Sequence, residues 1–469
     1  MVGTASSGTS SENLGHVVFI TAAAAIGGFL FGYDSAVING AVTGIQKHFA
    51  VGPVRIGIVV AIALLGSALG AWIAGNLADH WGRTRTMQVA AIVFAVSSIG
   101  QALPFSIVDL AFWRLLAGVG IGMASVIGPA YIAEVAPPAY RGRLGSFQQL
   151  AIVLGIAVSQ LVNYAIAQMA GGRVNNELLG LQAWQWMLGA CLLPAVLYLI
   201  FASIIPESPR FLIASGKIAE ARKVLREVEG DEADLDARVA EIDALLHSER
   251  RPRLRDLRGP RFGLLPIVWT GILLSVFQQF VGINVIFYYS SAMWQSVGIN
   301  QSESLLISFS TSIINIVGTF IAMALVDRIG RRPLLMIGSA GMAIALATAA
   351  WAFSSGVPSG ETVRLPETQA VVALVAAHVF VLFFALSWGV VVWVLLGEMF
   401  PNRIRAAALS VAAAAQWLAN WMITVSFPSL ASWSLAGAYV GYAFFAALSL
   451  AFVLFEVKET KGRKLEEMG

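Results

Sequence analysis

Long apolar runs, separated by short polar segments, cover most of the chain. Each run has 18 residues or more, which is enough for an α-helix to cross about 30 Å of hydrocarbon. The pattern therefore predicts an all-α membrane protein with twelve transmembrane helices. The predicted spans are 16–39, 55–78, 86–103, 108–131, 144–168, 184–205, 262–297, 304–326, 333–354, 368–400, 405–429 and 433–457.

Composition supports this prediction, because only 12% of the residues are charged, against about 25% in soluble proteins. The net charge of +3 does not indicate a nucleic-acid partner, since 25 of the 30 basic residues fall on one side of the predicted bilayer. By the positive-inside bias, both termini and the 206–261 segment are cytoplasmic, so we expect a multi-pass protein of the cell membrane, surrounded by lipid. The one cysteine, Cys191, excludes an internal disulfide and a Cys-based metal site, and we expect no metal or other cofactor.

Three polar motifs occur once in each half of the chain. They begin at Asp79, Glu134 and Glu207, and recur 248, 264 and 252 residues later. Such offsets indicate six helices duplicated in the same orientation, which is a parallel repeat. We therefore predict a disordered tail at 1–15, six-helix bundles at 16–205 and 262–457, a cytoplasmic linker at 206–261 and a tail at 458–469.

The 206–261 linker carries twelve basic and twelve acidic residues and cannot enter the bilayer. Apolar residues recur within it at helical spacing, as in Ile218, Ala221, Leu225 and Val228. We expect short amphipathic helices docked under the cytoplasmic face of the bundles. A solvated linker is the alternative.

Acidic residues at the ends of spans lie beside loop arginines, and the spacing from Glu to Arg repeats in the two halves. Such pairs at an interface between the halves can form in one conformation and break in another, which makes them candidate latches. The alternative is that the basic residues only set the orientation in the membrane. The candidates are Asp79, Arg83, Glu134, Arg141, Glu207, Arg210, Asp327, Arg331, Arg332, Glu398, Arg405 and Glu459.

The stretch Val276–Ser290 lies in an apolar span, yet it holds three carboxamides and two phenols. Hydrocarbon offers such groups no hydrogen-bond partners, so they predict a polar interior lined by protein. Interhelical hydrogen bonding is the alternative, although one or two polar groups suffice for it. Gln278 and Asn284 cannot share one face of a straight helix, so we expect a bend or an unwound turn at Gly282.

Several short motifs follow one another along the chain: Gly82-Arg83, Arg141-Gly142-Arg143, Pro206-Glu207-Ser208-Pro209-Arg210, Gln278-Gln279 with Gly282-Ile283-Asn284 and Tyr288-Tyr289, Gly330-Arg331-Arg332, and Glu459-Thr460-Lys461-Gly462. The ordered set resembles the signatures of the sugar porter family of the major facilitator superfamily, and within it the bacterial proton-coupled glucose and xylose symporters. The resemblance implies a monomeric transporter that works by alternating access. Thr84, Ala406 and Lys458 depart from the family pattern, since a basic residue, glycine and proline are common there.

A monosaccharide presents hydroxyl groups, and carboxamides match them without a charge that would bind too tightly for release. An indole offers a flat apolar face for the C–H groups of the sugar, together with one N–H donor. The resemblance places most of the suitable amides, and also Phe31, Trp393 and Trp417, at positions that contact sugar in the family. The predicted binding set is Phe31, Gln149, Gln278, Gln279, Asn284, Tyr288, Asn315, Trp393, Gln416, Trp417 and Asn420.

Four further residues leave more than one interpretation open. Gln160 and Asn163 are either ligands or interhelical hydrogen-bond partners. Trp388 is a candidate by proximity alone, and His378, which has no partner acid in the sequence pattern, is interpreted as a satisfied interior histidine.

Asp34 is an acid inside the first span, and Arg114 is the one basic residue inside any span. Both are predicted to lie about 8 Å below the external surface, so they can pair. Loosening of the pair would favour protonation of the carboxylate, which makes the two residues a candidate proton-coupling device. Structural pairing alone is the alternative.

Together these features predict import of glucose or another hexose by proton symport. A xylose or other pentose symporter and a facilitative sugar uniporter are the alternatives within this class. A membrane-embedded enzyme and a transporter-like sugar sensor are the alternatives from other classes. The sequence contains no Gly-x-Ser-x-Gly, His-Glu-x-x-His or phosphate-binding Gly-x-x-x-x-Gly-Lys motif, so we do not expect an enzyme.

Overall fold

The computed structural model describes residues 11–137, 140–231, 233–248, 253–360, 362–401 and 403–462. Long helices form most of it. The first half contains α1 (Ser11–Phe49), α2 (Pro53–Trp81), α3 (Arg83–Ala102), α4 (Ile107–Val135), α5 (Arg141–Met169), an antiparallel hairpin of β1 (Glu177–Leu178) and β2 (Leu181–Gln182), α6 (Ala183–Gly189) and α7 (Leu192–Ile204).

A linker of short helices leads to the second half. The linker contains α8 (Pro209–Ala214), α9 (Ile218–Glu229), α10 (Leu235–Ser248) and a 3-10 helix (Leu254–Leu257). The second half contains α11 (Pro266–Phe280), α12 (Ile283–Ser296), α13 (Gln301–Ile329), α14 (Arg331–Ser354), a hairpin of β3 (Val357–Ser359) and β4 (Thr362–Arg364), α15 (Glu367–Ala385), α16 (Trp388–Met399) and α17 (Arg405–Glu456).

Each predicted span consists mainly of one or two helices in the described chain, although only ten segments are long and apolar enough to count as separate membrane crossings. Two features account for the difference. Polar residues occupy the first two turns of α3, including Arg83, Arg85 and Gln88. The last two predicted spans are joined within α17 at Ser434, where the backbone leaves helical geometry with φ −163° and ψ 110°.

The first helix is longer than predicted. The sequence analysis placed its end at residue 39, whereas α1 runs from Ser11 to Phe49. Residues 11–15 are therefore helical and not a disordered tail, and residues 1–10 lie outside the described chain. Asp34 lies fifteen residues before Phe49, which is about 22 Å of helix and not the predicted 8 Å. The acid is thus near the middle of the bundle.

Glycines allow the central helices to approach closely. A Cβ atom at Gly118 or Gly122 of α4 would lie 2.0 Å from a backbone carbonyl oxygen of α2. A Cβ atom at Gly32 of α1 would lie 1.9 Å from the carbonyl oxygen of Ile152 in α5. Small residues at these contacts let the helix backbones approach closely. Close van der Waals packing, and not the hydrophobic effect, holds helices together in lipid.

The predicted linker helices are present and packed. Helix α9 buries Ala221, Leu225 and Val228, and the His16 side chain of α1 lies 3.6 Å from Glu227. We call the end of the molecule that carries α8–α10 the linker face. The opposite end, which contains the turns at 50–52 and 297–300, is the distal face.

The two halves meet along three helix pairs, α1 with α12, α2 with α17 and α5 with α13. Near the distal face, the backbone N–H of Ser291 donates to the Asn39 side-chain oxygen over 2.9 Å. Gln301 donates to the Thr43 hydroxyl over 3.1 Å and accepts from the backbone N–H of Val174 over 2.7 Å. Hydrogen bonds between the halves therefore close the distal face.

Candidate functional site

The seventh span is broken at the predicted position. Helix α11 ends at Phe280, and Gly282 adopts the left-handed conformation with φ 85° and ψ 21° before α12 begins at Ile283. Glycine populates this region without the steric cost that a Cβ atom brings. A Cβ atom here would also lie 2.8 Å from the Tyr442 ring. The break confirms the predicted unwound turn and brings the polar groups of α11 and α12 to one side.

Four carboxamides form a chain across this break. Gln278 donates to the backbone oxygen of Trp388 over 2.8 Å and accepts from Gln416, while Gln279 donates to Gln278 over 3.4 Å. Asn284 in turn donates to the Gln279 oxygen. Each amide thus orients the next, and the chain links α11, α12 and α17 with the start of α16.

These amides line a cavity of about 590 Å³ in the centre of the molecule. Its size falls in the range of 300–1,000 Å³ that is usual for small-molecule sites. All eleven residues of the predicted binding set line it: Phe31, Gln149, Gln278, Gln279, Asn284, Tyr288, Asn315, Trp393, Gln416, Trp417 and Asn420. The structure therefore brings the whole predicted set together around one space.

Both halves of the molecule build the cavity. Phe31 of α1 contacts Trp417 of α17 edge to face, with ring centroids 6.0 Å apart. Gln149 comes from α5, and Asn420 of α17 donates to the Tyr288 hydroxyl of α12 over 3.5 Å. A relative movement of the halves would therefore change the shape of the cavity.

The cavity extends from the middle of the bundle toward the linker face. Pro129, Gly145 and Trp393 line it, and each lies within two turns of the linker-face end of its helix. The Trp393 side chain is 45% exposed although it lies inside the helical bundle. The site is thus accessible from the linker face, while the distal face is closed.

Asp34 and Arg114 form a buried pair beside this cavity. The Arg114 Nη1 and Asp34 Oδ2 atoms are 3.6 Å apart, and both side chains are almost fully buried. Arg114 also donates to the backbone oxygen of Val60 over 3.2 Å. Asp34 Oδ1 and Arg114 Nε have no hydrogen-bond partner in the described part of the chain. A separation of 3.6 Å exceeds a normal hydrogen bond, so the pair is loose.

A single layer of side chains separates the pair from the cavity. A smaller void of about 20 Å³ touches Asp34 and Arg114. Phe31, Ser35, Tyr288 and Trp417 line both this void and the large cavity. The ion pair and the amide-lined cavity therefore share a wall, which we call the shared wall.

Gln160 and Asn163 have a structural role. The Gln160 oxygen accepts from Asn39 over 3.1 Å, and its nitrogen donates to the backbone oxygen of Ala36 over 3.2 Å. Asn163 donates to the backbone oxygen of Val37 over 3.1 Å. Neither side chain lines the cavity, so the interhelical alternative applies to both.

Trp388 and His378 also lie away from the cavity lining. The buried Trp388 indole donates to the Ser339 hydroxyl over 2.8 Å, and only the Trp388 backbone oxygen reaches Gln278. A ring nitrogen of His378 lies 2.7 Å from the Ser310 hydroxyl, and the other lies 2.7 Å from the Leu374 oxygen. Both nitrogens thus have partners, in agreement with a satisfied interior histidine.

The polar motifs of the first half form one charge cluster at the linker face. Arg83 contacts Glu134 over 2.8 Å and Asp79 over 3.6 Å. Glu207 accepts from the backbone N–H of Arg83 over 3.0 Å and from the Thr84 hydroxyl over 2.8 Å. Arg210 is the second residue of α8. Arg141 begins α5, but its side chain lies outside the described part of the structure.

The second half repeats the main contacts of this cluster. Arg331 contacts Glu398 over 2.5 and 2.9 Å and Asp327 over 3.0 Å. Glu459 accepts from the backbone N–H groups of Arg331 and Arg332, each over 3.1 Å. Arg405, seven residues after Glu398, instead donates to the backbone oxygen of Phe400 over 3.0 Å.

Each charge cluster lies within one half. The partner of Glu398 is Arg331 and not Arg405, so the repeated Glu-to-Arg spacing does not identify the contact. A latch between the halves at this face therefore remains a prediction for another conformation. Backbone N–H groups at the starts of α3 and α14 stabilise the carboxylates of Glu207 and Glu459.

Eighteen of the residues that line the cavity were not selected from the sequence, among them one carboxamide and two phenylalanines. Gln148 precedes Gln149 and lines the same cavity, as do Phe287 and Phe384. The tandem Gln148-Gln149, which parallels Gln278-Gln279, is the signal that could have identified Gln148. The two phenylalanines are indistinguishable by pattern from the other 24 of the 26 in the chain. In the described part of the chain, no group of three His, Cys, Asp or Glu residues could hold a metal ion.

Twelve helical spans around a central polar cavity, formed by two similar halves, define a membrane transporter. The family model "Sugar (and other) transporter" matches residues 20–469. The chain belongs to this family of sugar transporters, and its fold is that of the major facilitator superfamily. It is therefore a transporter and not an enzyme.

Individual relatives agree with this assignment. A glucose transport protein of Synechocystis sp. is 53% identical, with 98% of each chain covered. The D-xylose-proton symporter of Escherichia coli is 36% identical, covering 97% of this chain and 96% of the relative. An inward open structure of the E. coli xylose transporter XylE superposes with a TM-score of 0.81 at 34% identity, covering 96% of this chain and 99% of that one.

Proposed function

We propose that the protein imports glucose by proton symport through alternating access. The observation that carries this proposal is the shared wall, which joins an amide-lined cavity to the buried pair of Asp34 and Arg114. The 53% identical relative is a glucose transport protein, and a further relative is a proton symporter. The first relative supports the choice of glucose as the sugar, and the second supports the choice of the proton as the coupling ion.

The cavity suits a monosaccharide chemically. Gln149, Gln279, Asn284, Asn315 and Asn420 supply donors and acceptors for sugar hydroxyls. The indoles of Trp393 and Trp417 supply apolar faces for the C–H groups of the ring. None of these groups carries a charge, so the sugar can be held and released in each cycle.

Asp34 would carry the proton. While it is ionised, it faces Arg114; when it takes up a proton, the pair loses its attraction, and the helices that carry these residues are free to move. Movement of α1 would reshape the cavity through Phe31. One proton provides about 2.3 kcal/mol per 100 mV of membrane potential, enough to concentrate sugar roughly fifty-fold.

The linker face would be cytoplasmic, with both termini on that side, and the protein would act as a monomer in the cell membrane. The distribution of basic residues supports this orientation. In that orientation the present conformation is open to the cytoplasm. The two charge clusters would then be latches that rearrange when the linker face closes.

Uptake into proteoliposomes tests the proposal. We expect the protein to accumulate radiolabelled glucose when an inward proton gradient is imposed. The Asp34→Asn variant should lose this accumulation and retain glucose exchange between the two sides, because only coupling depends on the acid. Asp109→Asn is the matched control, since Asp109 lies at the distal end of α4 and caps local groups there.

Three outcomes would contradict the proposal. Uphill uptake by Asp34→Asn would remove the acid from the coupling mechanism. Uptake that is independent of the proton gradient in the unmodified protein would indicate a uniporter. Accumulation of xylose in preference to glucose, measured by competition, would assign the site to a pentose.

A further inference from the structure

A second cavity lies at the linker face, outside the sugar site. Its volume is about 570 Å³, and it lies between the start of α11, the end of α16 and the end of α17. It shares no lining residue with the central cavity. We call it the basic pocket.

Two cations face the basic pocket. Arg403 and Lys458 line it, both have exposed side chains, and neither has an ion-pair partner among the described residues. The one acid in the lining, Glu456, lies 3.9 Å from the guanidinium of Arg261. The pocket therefore has an excess of positive charge that side chains of the described chain do not neutralise.

The remaining lining of the pocket is largely apolar. Ile267 and Leu395 line it between the helix ends. Phe262 directly follows Arg261 and Phe455 directly precedes Glu456, and their side chains are 94% and 83% exposed. Exposed aromatic side chains beside the end of a transmembrane helix indicate contact with the membrane. The pocket thus combines cationic groups with apolar surface at the level of the lipid headgroups.

We propose that the basic pocket binds the phosphate headgroup of an anionic glycerophospholipid from the adjacent leaflet. Basic pockets between helices at this membrane level recognise such headgroups through charge, and the apolar wall can accommodate the glycerol and the first methylenes. A zwitterionic lipid carries no net charge to complement the two cations.

The pocket also contacts the second charge cluster. The Thr460 hydroxyl, which lines the pocket, donates to the Glu398 carboxylate over 2.6 Å. Lys458 directly precedes Glu459, which accepts from the backbone of Arg331. A bound headgroup would therefore hold the segment after α17 against the end of α16.

Lipid binding to the purified full-length protein tests this site. Native mass spectrometry in detergent would measure binding of phosphatidylglycerol and, separately, of phosphatidylcholine. We expect the double variant Arg403→Gln/Lys458→Gln to bind phosphatidylglycerol about thirty-fold more weakly, from two lost cations. Glu456→Gln should bind it more tightly, since an acid leaves the pocket. The control Arg255→Gln, on the exposed 3-10 helix of the linker, should bind it like the unmodified protein.

The test can also fail in distinct ways. Equal binding of the two lipids, or unchanged binding by the double variant with an unaltered melting curve, would overturn the proposal. Displacement of phosphatidylglycerol by an equal concentration of glycerol 1-phosphate would show a site for a soluble phosphate and overturn the lipid assignment. None of these outcomes depends on sugar transport. The lipid proposal can therefore fail while the proposed function holds, and the reverse is also true.

Discussion

Gln278 lines the cavity and also makes hydrogen bonds to neighbouring helices. Its nitrogen holds the backbone oxygen of Trp388, and its oxygen holds Gln416. Both hydrogen bonds leave it little capacity to rearrange around a ligand. Gln279, its neighbour, makes one long contact to Gln278 and one to Asn284. Each of the two nitrogens has one N–H donor left, but the Gln278 oxygen already accepts two hydrogen bonds and the Gln279 oxygen accepts one. Of the two adjacent amides, Gln279 therefore has more capacity left for a sugar hydroxyl.

We expect Gln279→Ala to weaken glucose binding by about tenfold or more. The reason is that a sugar hydroxyl would lose its partner inside a largely desolvated cavity. Isothermal titration calorimetry would measure the affinity. The matched control is Gln295→Ala, because Gln295 lies on α12 outside the cavity and donates to Ser291 over 3.0 Å. Unchanged affinity in Gln279→Ala, or an equal loss in the control, would contradict this role.

Glu459 provides a prediction that depends on pH. Partial burial disfavours its charge, but backbone N–H groups of Lys461, Arg331, Arg332 and Thr460 together hold the pKa of its carboxyl below the usual range. A lowered folded-state pKa means that the carboxylate stabilises the protein above the unfolded-state pKa of about 4.3. This stabilisation is lost as the pH falls through the folded-state pKa.

We therefore expect Glu459→Gln to lower the melting temperature at pH 7 by about 2 °C. The difference from the unmodified protein should shrink as the pH falls below about 4. Thermal unfolding in detergent across this range is the measurement. Glu220→Gln, at an exposed position of the linker, should show no such difference. A difference that is constant with pH would show that the charge of Glu459 is not the cause.

At the scale of secondary structure, two spans are broken beside the cavity. Gly282 separates α11 from α12, and Ser387, with φ −134° and ψ −92°, separates α15 from α16. The first break needs a glycine. The second depends on tertiary contacts, because Ser387 donates to the Phe383 oxygen and the next residue, Trp388, is anchored to Ser339.

Gly282→Ala should destabilise the protein and slow transport. A left-handed conformation costs a residue with a Cβ atom about 1–2 kcal/mol, and the Tyr442 ring, 2.8 Å away, must also shift. We expect a lower melting temperature together with reduced glucose uptake. Gly75→Ala is the matched control, since a Cβ atom there meets nothing within 4 Å and alanine favours a helix. Equal behaviour of the two variants would show that the break does not need glycine.

At the scale of the whole molecule, the two faces differ in how the halves are joined. The distal face has hydrogen bonds between the halves, through Asn39, Thr43 and Gln301. At the linker face, the charge clusters of Arg83 and Arg331 each hold one half together. The distal contacts are thus the ones that must break for the cavity to open on the other side.

Gln301→Ala should favour opening of the distal face, because two hydrogen bonds between the halves are lost. Spin labels at Leu179→Cys and Val357→Cys, in a Cys191→Ser background, would report the distance between the halves. Both labelled positions are exposed near the distal face. We expect a second, longer distance to appear in the variant.

Gln185→Ala is the matched control for this experiment. Gln185 also lies at the distal face, but it contacts Ala102 and Gln182 within the first half. An unchanged distance distribution in Gln301→Ala would show that other contacts keep the distal face closed. The same change in both variants would indicate general loosening of the protein.

Hydrophobicity predicted the membrane spans, and polar groups within an apolar span predicted a polar cavity. The family resemblance supplied much of the predicted lining, including Phe31, Trp393 and Trp417. Sequence patterns were less successful where geometry depends on distant residues. Hydrophobicity placed the end of α1 at residue 39, but the helix continues to Phe49. An apolar run indicates where the chain crosses the bilayer, and a helix can extend beyond that run. The partner of Glu398 was missed because a repeated spacing does not identify a contact between helices. The break at Ser387 was missed because no glycine or proline occupies that position.

The shared wall has a consequence for the evolution of this protein. Phe31, Ser35, Tyr288 and Trp417 touch both the sugar cavity and the void beside Asp34. A mutation selected at one of them for a new sugar would also alter the surroundings of the acid. Changes in sugar specificity and changes in proton coupling would therefore arise together. Lineages that adopt another sugar should carry compensating substitutions on the ion-pair side of these four residues.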